Sequence, residues 1–163
     1  MPSILFILTA PIFFLLSLLA IGPESVLSQT GDCVEGTEVN LDDYRWENRI
    51  LITISDDRES HQFLEQKKLF SGLDNEFTER DLIVISLFYF DCSEVGERYM
   101  TDESADRLKR RLVDENAVSS FSVMVIGKDG GIKLRSEEVI EPDELFSVID
   151  RMPMRQREMR EGR

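Results

Sequence analysis

Whatever this chain builds must accommodate residues 119–135, SSFSVMVIGKDGGIKLR. Phe121 to Ile126 is apolar apart from Ser122, Gly127 to Gly131 forms the glycine-rich stretch GKDGG, and Ile132 to Arg135 resumes an extended pattern. An apolar run, a glycine turn and a second short run predict a β-hairpin. Gly130 and Gly131 are both expected at positive φ, where a residue without Cβ suffers no clash. GKDGG is not read as a phosphate loop, because it lacks the GxxxxGK[ST] spacing and a following helix. Such a hairpin needs further strands to pair with and helices to cover its apolar face.

The preceding residues supply them. Ile50 to Ser55 alternates Ile50, Ile52, Ile54 with Leu51, Thr53, Ser55, which predicts a strand with one strongly apolar face. Trp46, in the lead-in, is expected to pack under it. Ser55, Asp56 and Asp57 offer caps for a helix over 58–71, with Phe63, Gln66, Phe70 and Leu73 facing inward. Gln66 on that face should hydrogen-bond backbone, because an unpaired buried amide costs about 1–3 kcal/mol. Leu82 to Phe90 is apolar on both faces, as a central strand would be. Arg80-Asp81 before it is read as a local ion pair, and Gly96 as a loop breaker. Thr101 or Asp102 caps a helix burying Ala105, Leu108 and Leu112, with cations in its last turns. Pro142 opens a final helix with Leu145, Val148, Ile149 and Met152 inward, which Pro153 disrupts or ends. The order β-α-β-α-β-β-α predicts a thioredoxin-like α/β fold, a central mixed sheet with flanking helices.

Ile4 to Ile21 carries no charge. As a helix it would span about 27 Å, long for a secretory core and short for a comfortable membrane span. Val26-Leu27-Ser28 offers a cleavage site, although the segment begins without Lys or Arg. Residues 1–28 are therefore expected to form an apolar targeting helix: a signal peptide, with an uncleaved outward-facing anchor or a buried core helix as alternatives. Residues 29–40 read as a linker, 41–153 as the domain and 154–163 as a basic tail. The expected location is periplasmic or extracellular. A net charge of -13 repels phosphate backbones and anionic lipid. Nucleic acid is excluded as a partner, and membrane contact is left only to an uncleaved N-terminal segment. His61 is the sole histidine, which excludes a multi-histidine metal site. Helix capping accounts for Asp56, Asp57 and Glu59, and no metal or cofactor is expected.

Five stretches carry a resemblance: WENRILITIS, the helix holding Gln66, ERDLIVISLF, VIGKDGGIKLR and IDRMPMRQREM. Together they resemble the bacterial members of the DUDES family, the domain of unknown function 4174. That peroxiredoxin-like, thioredoxin-fold domain also occurs in extracellular sushi-repeat and equarin-type proteins. The motif positions are Trp46, Gln66, Arg80, Asp81, Gly127, Lys128, Asp129, Gly130, Gly131, Met152, Pro153 and Arg155, all expected to be structural. The resemblance implies a secreted or periplasmic domain of undetermined biochemical function. A shared fold does not transfer peroxidase chemistry.

Thioredoxins and peroxiredoxins hold their reactive cysteine where the first helix begins, because the helix dipole there stabilises a thiolate. The matching stretch, Ser55 to His61, reads SDDRESH and contains no cysteine. Cys33 and Cys92 are the only two, and a disulfide between them, two free thiols and a reactive Cys92 all stay open. The expected function is a non-catalytic interaction module with an unidentified protein partner. The alternative is a thiol-dependent oxidoreductase or peroxidase using Cys92.

Overall fold

A computed structural model describes residue 33, residues 36–113 and residues 120–162. The expected targeting segment, 1–28, lies outside them, as do 29–32, 34 and 35 of the expected linker.

Strand β1, Arg49–Ser55, is the hub of the sheet. It pairs in parallel with β2, Leu82–Phe88, from Arg49 against Leu82 to Ser55 against Phe88. On its other side it runs antiparallel to β5, Phe121–Ile126, which pairs antiparallel with β6, Ile132–Ser136. Two short strands, β3 (Glu94–Val95) and β4 (Arg98–Tyr99), extend the edge beside β2, giving the order β4-β3-β2-β1-β5-β6. This edge hairpin turns at Gly96, with φ +59°, where only a loop was expected.

β1 is buried on both faces, not one. Ile50, Ile52 and Ile54 meet Ala105, Leu108 and Leu112 of α3, Asp102–Leu112. Leu51 meets Phe63 of α1, His61–Leu69, and Leu145 and Ile149 of α4, Pro142–Asp150. The alternation reported polarity; helices on both sides decided burial.

α1 begins three residues later than its capping acids suggested. Asp57 Oδ1 accepts from the Glu59 N–H at 2.9 Å, forming a local turn, and Ser60 takes the cap position. α1 also ends early, and Leu73, expected on its inner stripe, instead precedes α2, Asp74–Glu79. α3 starts as its sequence indicates, with Thr101 Oγ1 accepting from the Ser104 N–H at 3.3 Å. α4 stops at Asp150, and Pro153 opens α5, Pro153–Glu161, at the position where a missing N–H costs nothing. α5 buries Arg155 and Glu158 against the domain. A parallel βαβ unit followed by an antiparallel ββα unit is the thioredoxin-like topology. Among the described residues, no helix is long and apolar enough to cross a membrane.

Candidate functional site

The carboxyl ends of β1 and β2 lie where this fold would place thiol chemistry. The Ser55 and Ser60 hydroxyls hydrogen-bond to each other across the turn entering α1. Arg58 fills the space beside them. Its Nε donates to Asp91, its Nη1 lies 3.0 Å from Glu94 Oε1, and its Nη2 donates to the Cys92 carbonyl at 3.2 Å. The guanidinium also lies 5.6 Å from the ring centres of both Phe88 and Tyr99. The bond to Asp91 pushes Arg58 further above its ordinary value, against the opposing effect of burial. Burial alone would raise Asp91, but the N–H groups of Arg58 and Cys92 outweigh it and hold its carboxyl below the usual range. Arg58 and Asp91 are thus both charged at neutral pH.

Cys92 is bonded to Cys33, with Cα atoms 5.8 Å apart. The bond ties the segment before the domain to the end of β2, and the Cys33 N–H donates to Asp102 Oδ2 at 3.2 Å. Among the described residues no free thiol exists. His61 lies exposed in the first turn of α1, 3.9 Å from Glu65. Among the described residues, no group of three or more His, Cys, Asp or Glu side chains could hold a metal.

Of the motif positions, Arg80, Asp81, Lys128 and Arg155 converge at the opposite pole, where β1 and β2 begin. Lys128 Nζ lies 2.7 Å from Asp81 Oδ2 and 2.8 Å from Glu158 Oε1. The other Glu158 oxygen accepts from Arg49 Nη2 at 3.0 Å. Arg49, fully buried, also donates to the Arg80 carbonyl at 2.8 Å. Arg80 forks onto Asp150 at 3.0 and 2.8 Å, with its guanidinium 4.4 Å from the Phe146 ring centre. Arg155 spans Glu79 Oε1 at 2.5 Å and Asp150 Oδ1 at 3.4 Å. Arg80 and Asp81 therefore do not pair with each other; each reaches a partner on a different element. Burial would raise Glu158, yet the Lys128 hydrogen bond and the Arg49 charge hold it below the usual carboxylate range.

Trp46 borders this cluster and is not packed under β1. It is 62% exposed, its φ is +70°, and its N–H donates to the Lys128 carbonyl at 2.7 Å. Asp81, φ +47°, is the other non-glycine residue at positive φ among the described residues. Both border one open groove, with Lys128, Met154 and Glu158. Such conformations cost of order 1–3 kcal/mol each and gather where a structure over-determines them.

Two further motif features are structural. Gln66 bridges the Ile140 backbone, donating at 2.9 Å and accepting at 2.8 Å, as its place on an apolar face required. In the hairpin turn Gly127 accepts from Gly130 at 2.8 Å and donates to the Gly131 carbonyl at 2.9 Å. Asp129 is held below the usual carboxylate range first by its bond from Lys133, then by the Gly131 N–H. Only Gly130 takes positive φ, +81°; Gly131 does not. Met152 is buried, and Pro153 starts α5. Sequence reasoning missed Arg49, Glu79, Asp150 and Glu158. The available signal was Arg49 itself, a cation at the mouth of an apolar strand that demands a buried partner.

Fold and site together define a thioredoxin-like domain with no sulfur at the start of α1. The chain belongs to the family described as "Domain of unknown function (DUF4174)", whose model matches residues 40–158. It is similar to a solved structure described as "Crystal structure of Trgpx in apo form", at 16% identity and a TM-score of 0.44, covering 72% of this chain and 90% of that one. No curated protein matches the chain.

Proposed function

We propose that this protein is an exported, non-catalytic thioredoxin-like module that meets a protein partner in the cell envelope or exterior. One observation carries the reading: the entrance to α1 is occupied by Arg58 and its carboxylates, while Cys33 and Cys92 are bonded to each other. Without a thiolate there is no sulfur nucleophile. A disulfide suits an oxidising compartment and so supports export, in line with the uncharged run from Ile4 to Ile21. The groove beside Trp46 is the surface offered to the partner, because an exposed indole is the side chain most enriched at interface hot spots.

The test is activity and processing on one preparation. Insulin reduction and thiol-dependent peroxide consumption should both be negligible and unchanged in Cys92→Ser. Mass spectrometry of envelope protein should find a new N-terminus between Ile21 and Thr30. Peroxide turnover abolished by Cys92→Ser would replace this reading with the thiol oxidoreductase; an intact Met1 in the membrane pellet would replace the signal peptide with an anchor.

A further inference from the structure

On the sheet face carrying α1 and α4, Leu51 of β1 and Leu82 and Phe88 of β2 are buried in the core. From Thr53 of β1 across β2, β3 and β4 the same face forms the floor of a groove of about 650 Å³ between α1–α2 and the edge hairpin. Strand register places Thr53 of β1, Ser86 of β2, Glu94 of β3 and Tyr99 of β4 in one row on that floor. Thr53 and Ser86 are only 4% and 9% exposed. Neither hydroxyl has a hydrogen-bond partner among the described residues, and both line the groove. The two hydroxyls are not sealed from solvent but open onto the groove, so whatever fills the groove, water or ligand, supplies their bonds. Phe63, Phe70 and Phe77 form the helix-side wall, and Tyr99 forms the other. Aromatic walls, a few convergent polar groups and this volume are the attributes of a small-molecule site.

We infer that the groove binds a small neutral ring compound bearing a hydroxyl or carbonyl, with its ring between the aromatic walls and its oxygen on Thr53 and Ser86. A hydroxyl both donates and accepts, so either oxygen type satisfies the pair. The charges around the opening decide against an anion: Asp74 and Glu97 oppose the single cation Lys67, and Glu94 is already engaged by Arg58. A cation would rest on the Thr53 and Ser86 hydroxyls, because the floor carboxylate Glu94 is held by Arg58 and Asp74 and Glu97 lie exposed at the rim, which makes its burial costly. The groove shares no residue with the Trp46 face, so the inference stands or falls separately from the proposed partner surface.

Amide chemical shifts of the purified protein, followed by NMR against 4-ethylphenol, ethylbenzene and 4-ethylbenzoate, test it. 4-Ethylphenol should give saturable shifts confined to β1 around Thr53, β2, the edge hairpin and the α1–α2 junction. Ethylbenzene should bind about tenfold more weakly, the loss expected when buried polar groups stay unpaired, and 4-ethylbenzoate at least as weakly, because its charge leaves water beside Asp74 and Glu97. Thr53→Val and Ser86→Ala keep the shape of the floor and remove its oxygens. With thermal midpoints showing each variant folded, each should weaken 4-ethylphenol by about five- to tenfold and bind ethylbenzene more tightly than wild type does. Equal affinity for all three probes, or phenol binding untouched by both substitutions, overturns the inference. So does the absence of saturable shifts at millimolar probe, which would mean that the hydroxyls are met by water alone.

Discussion

At Gly130 the backbone, with φ +81°, requires glycine, and a Cβ there would also come within 3.1 Å of Arg45 Nε. Gly131 makes neither demand: its φ is not positive, and its nearest neighbour is the movable end of Lys133, 3.3 Å away. The two adjacent glycines, equivalent in the sequence, should therefore respond differently. Gly130→Val should cost about 1–3 kcal/mol, the range for a strained backbone position, whereas Gly131→Val should stay within about 1 kcal/mol of wild type. Urea midpoints check this, and indistinguishable values for the two variants would reject the turn geometry. Trp46 carries the same lesson at larger size. Its left-handed φ turns the indole away from the strand it was expected to support, and nothing in the local pattern WEN signals that conformation.

Among the elements, α5 is unusual in how it is held. Its buried residues are Arg155 and Glu158, so charge and not apolar area fastens it to the starts of β1 and β2. Glu158 stands between Lys128 and Arg49, and its carboxyl is depressed relative to the unfolded chain. A depressed acid contributes stability that is present above its unfolded pKa, near about 4.3, and lost as pH falls through the lower folded value. Stability should thus hold from pH 7 to 5 and decline below about pH 4. Asp91 and Asp129 are depressed too and add to the decline. Glu158→Gln should flatten this acid limb without abolishing it, and should cost about 3 kcal/mol at pH 7, the low end for breaking a buried pair. The low end applies because Lys128 keeps Asp81 and Arg49 keeps the Arg80 carbonyl. Denaturant midpoints at pH 7, 5, 4 and 3 measure it; parallel curves for variant and wild type would remove Glu158 from the account.

For the whole molecule, one covalent bond joins residues 59 apart and ties the segment before the domain to the end of β2. Closing a loop of that length restricts the unfolded chain and is worth roughly 4 kcal/mol in the chain-entropy model. Reduction should lower stability by about that amount and leave the far-ultraviolet circular dichroism unchanged. Cys33→Ser should match the reduced wild type and show no further response to reductant; a reductant effect that persists in that variant would point to a different cause. The strands β1 and β2, the central hairpin, α3 and α4 were all legible in the sequence. Their signals are local: apolar period, a capping Thr101, a first-turn Pro142, a glycine turn. Gln66 was legible for the same reason, since an amide on an apolar stripe has to find backbone. The site was not. Arg49 and Glu158 meet across 109 positions, and Arg80 and Asp81, adjacent in the chain, turn to different elements. The Thr53, Ser86, Glu94, Tyr99 row exists only through the register of four strands, two of them too short to leave a pattern. Sequence by itself determined where the long strands and the α3 and α4 helices lie and which of their residues are apolar, because those preferences act over a few residues. Tertiary structure alone decided which charges pair, which hydroxyls stay unpaired and where Trp46 points, because those depend on distances between segments that have no local code.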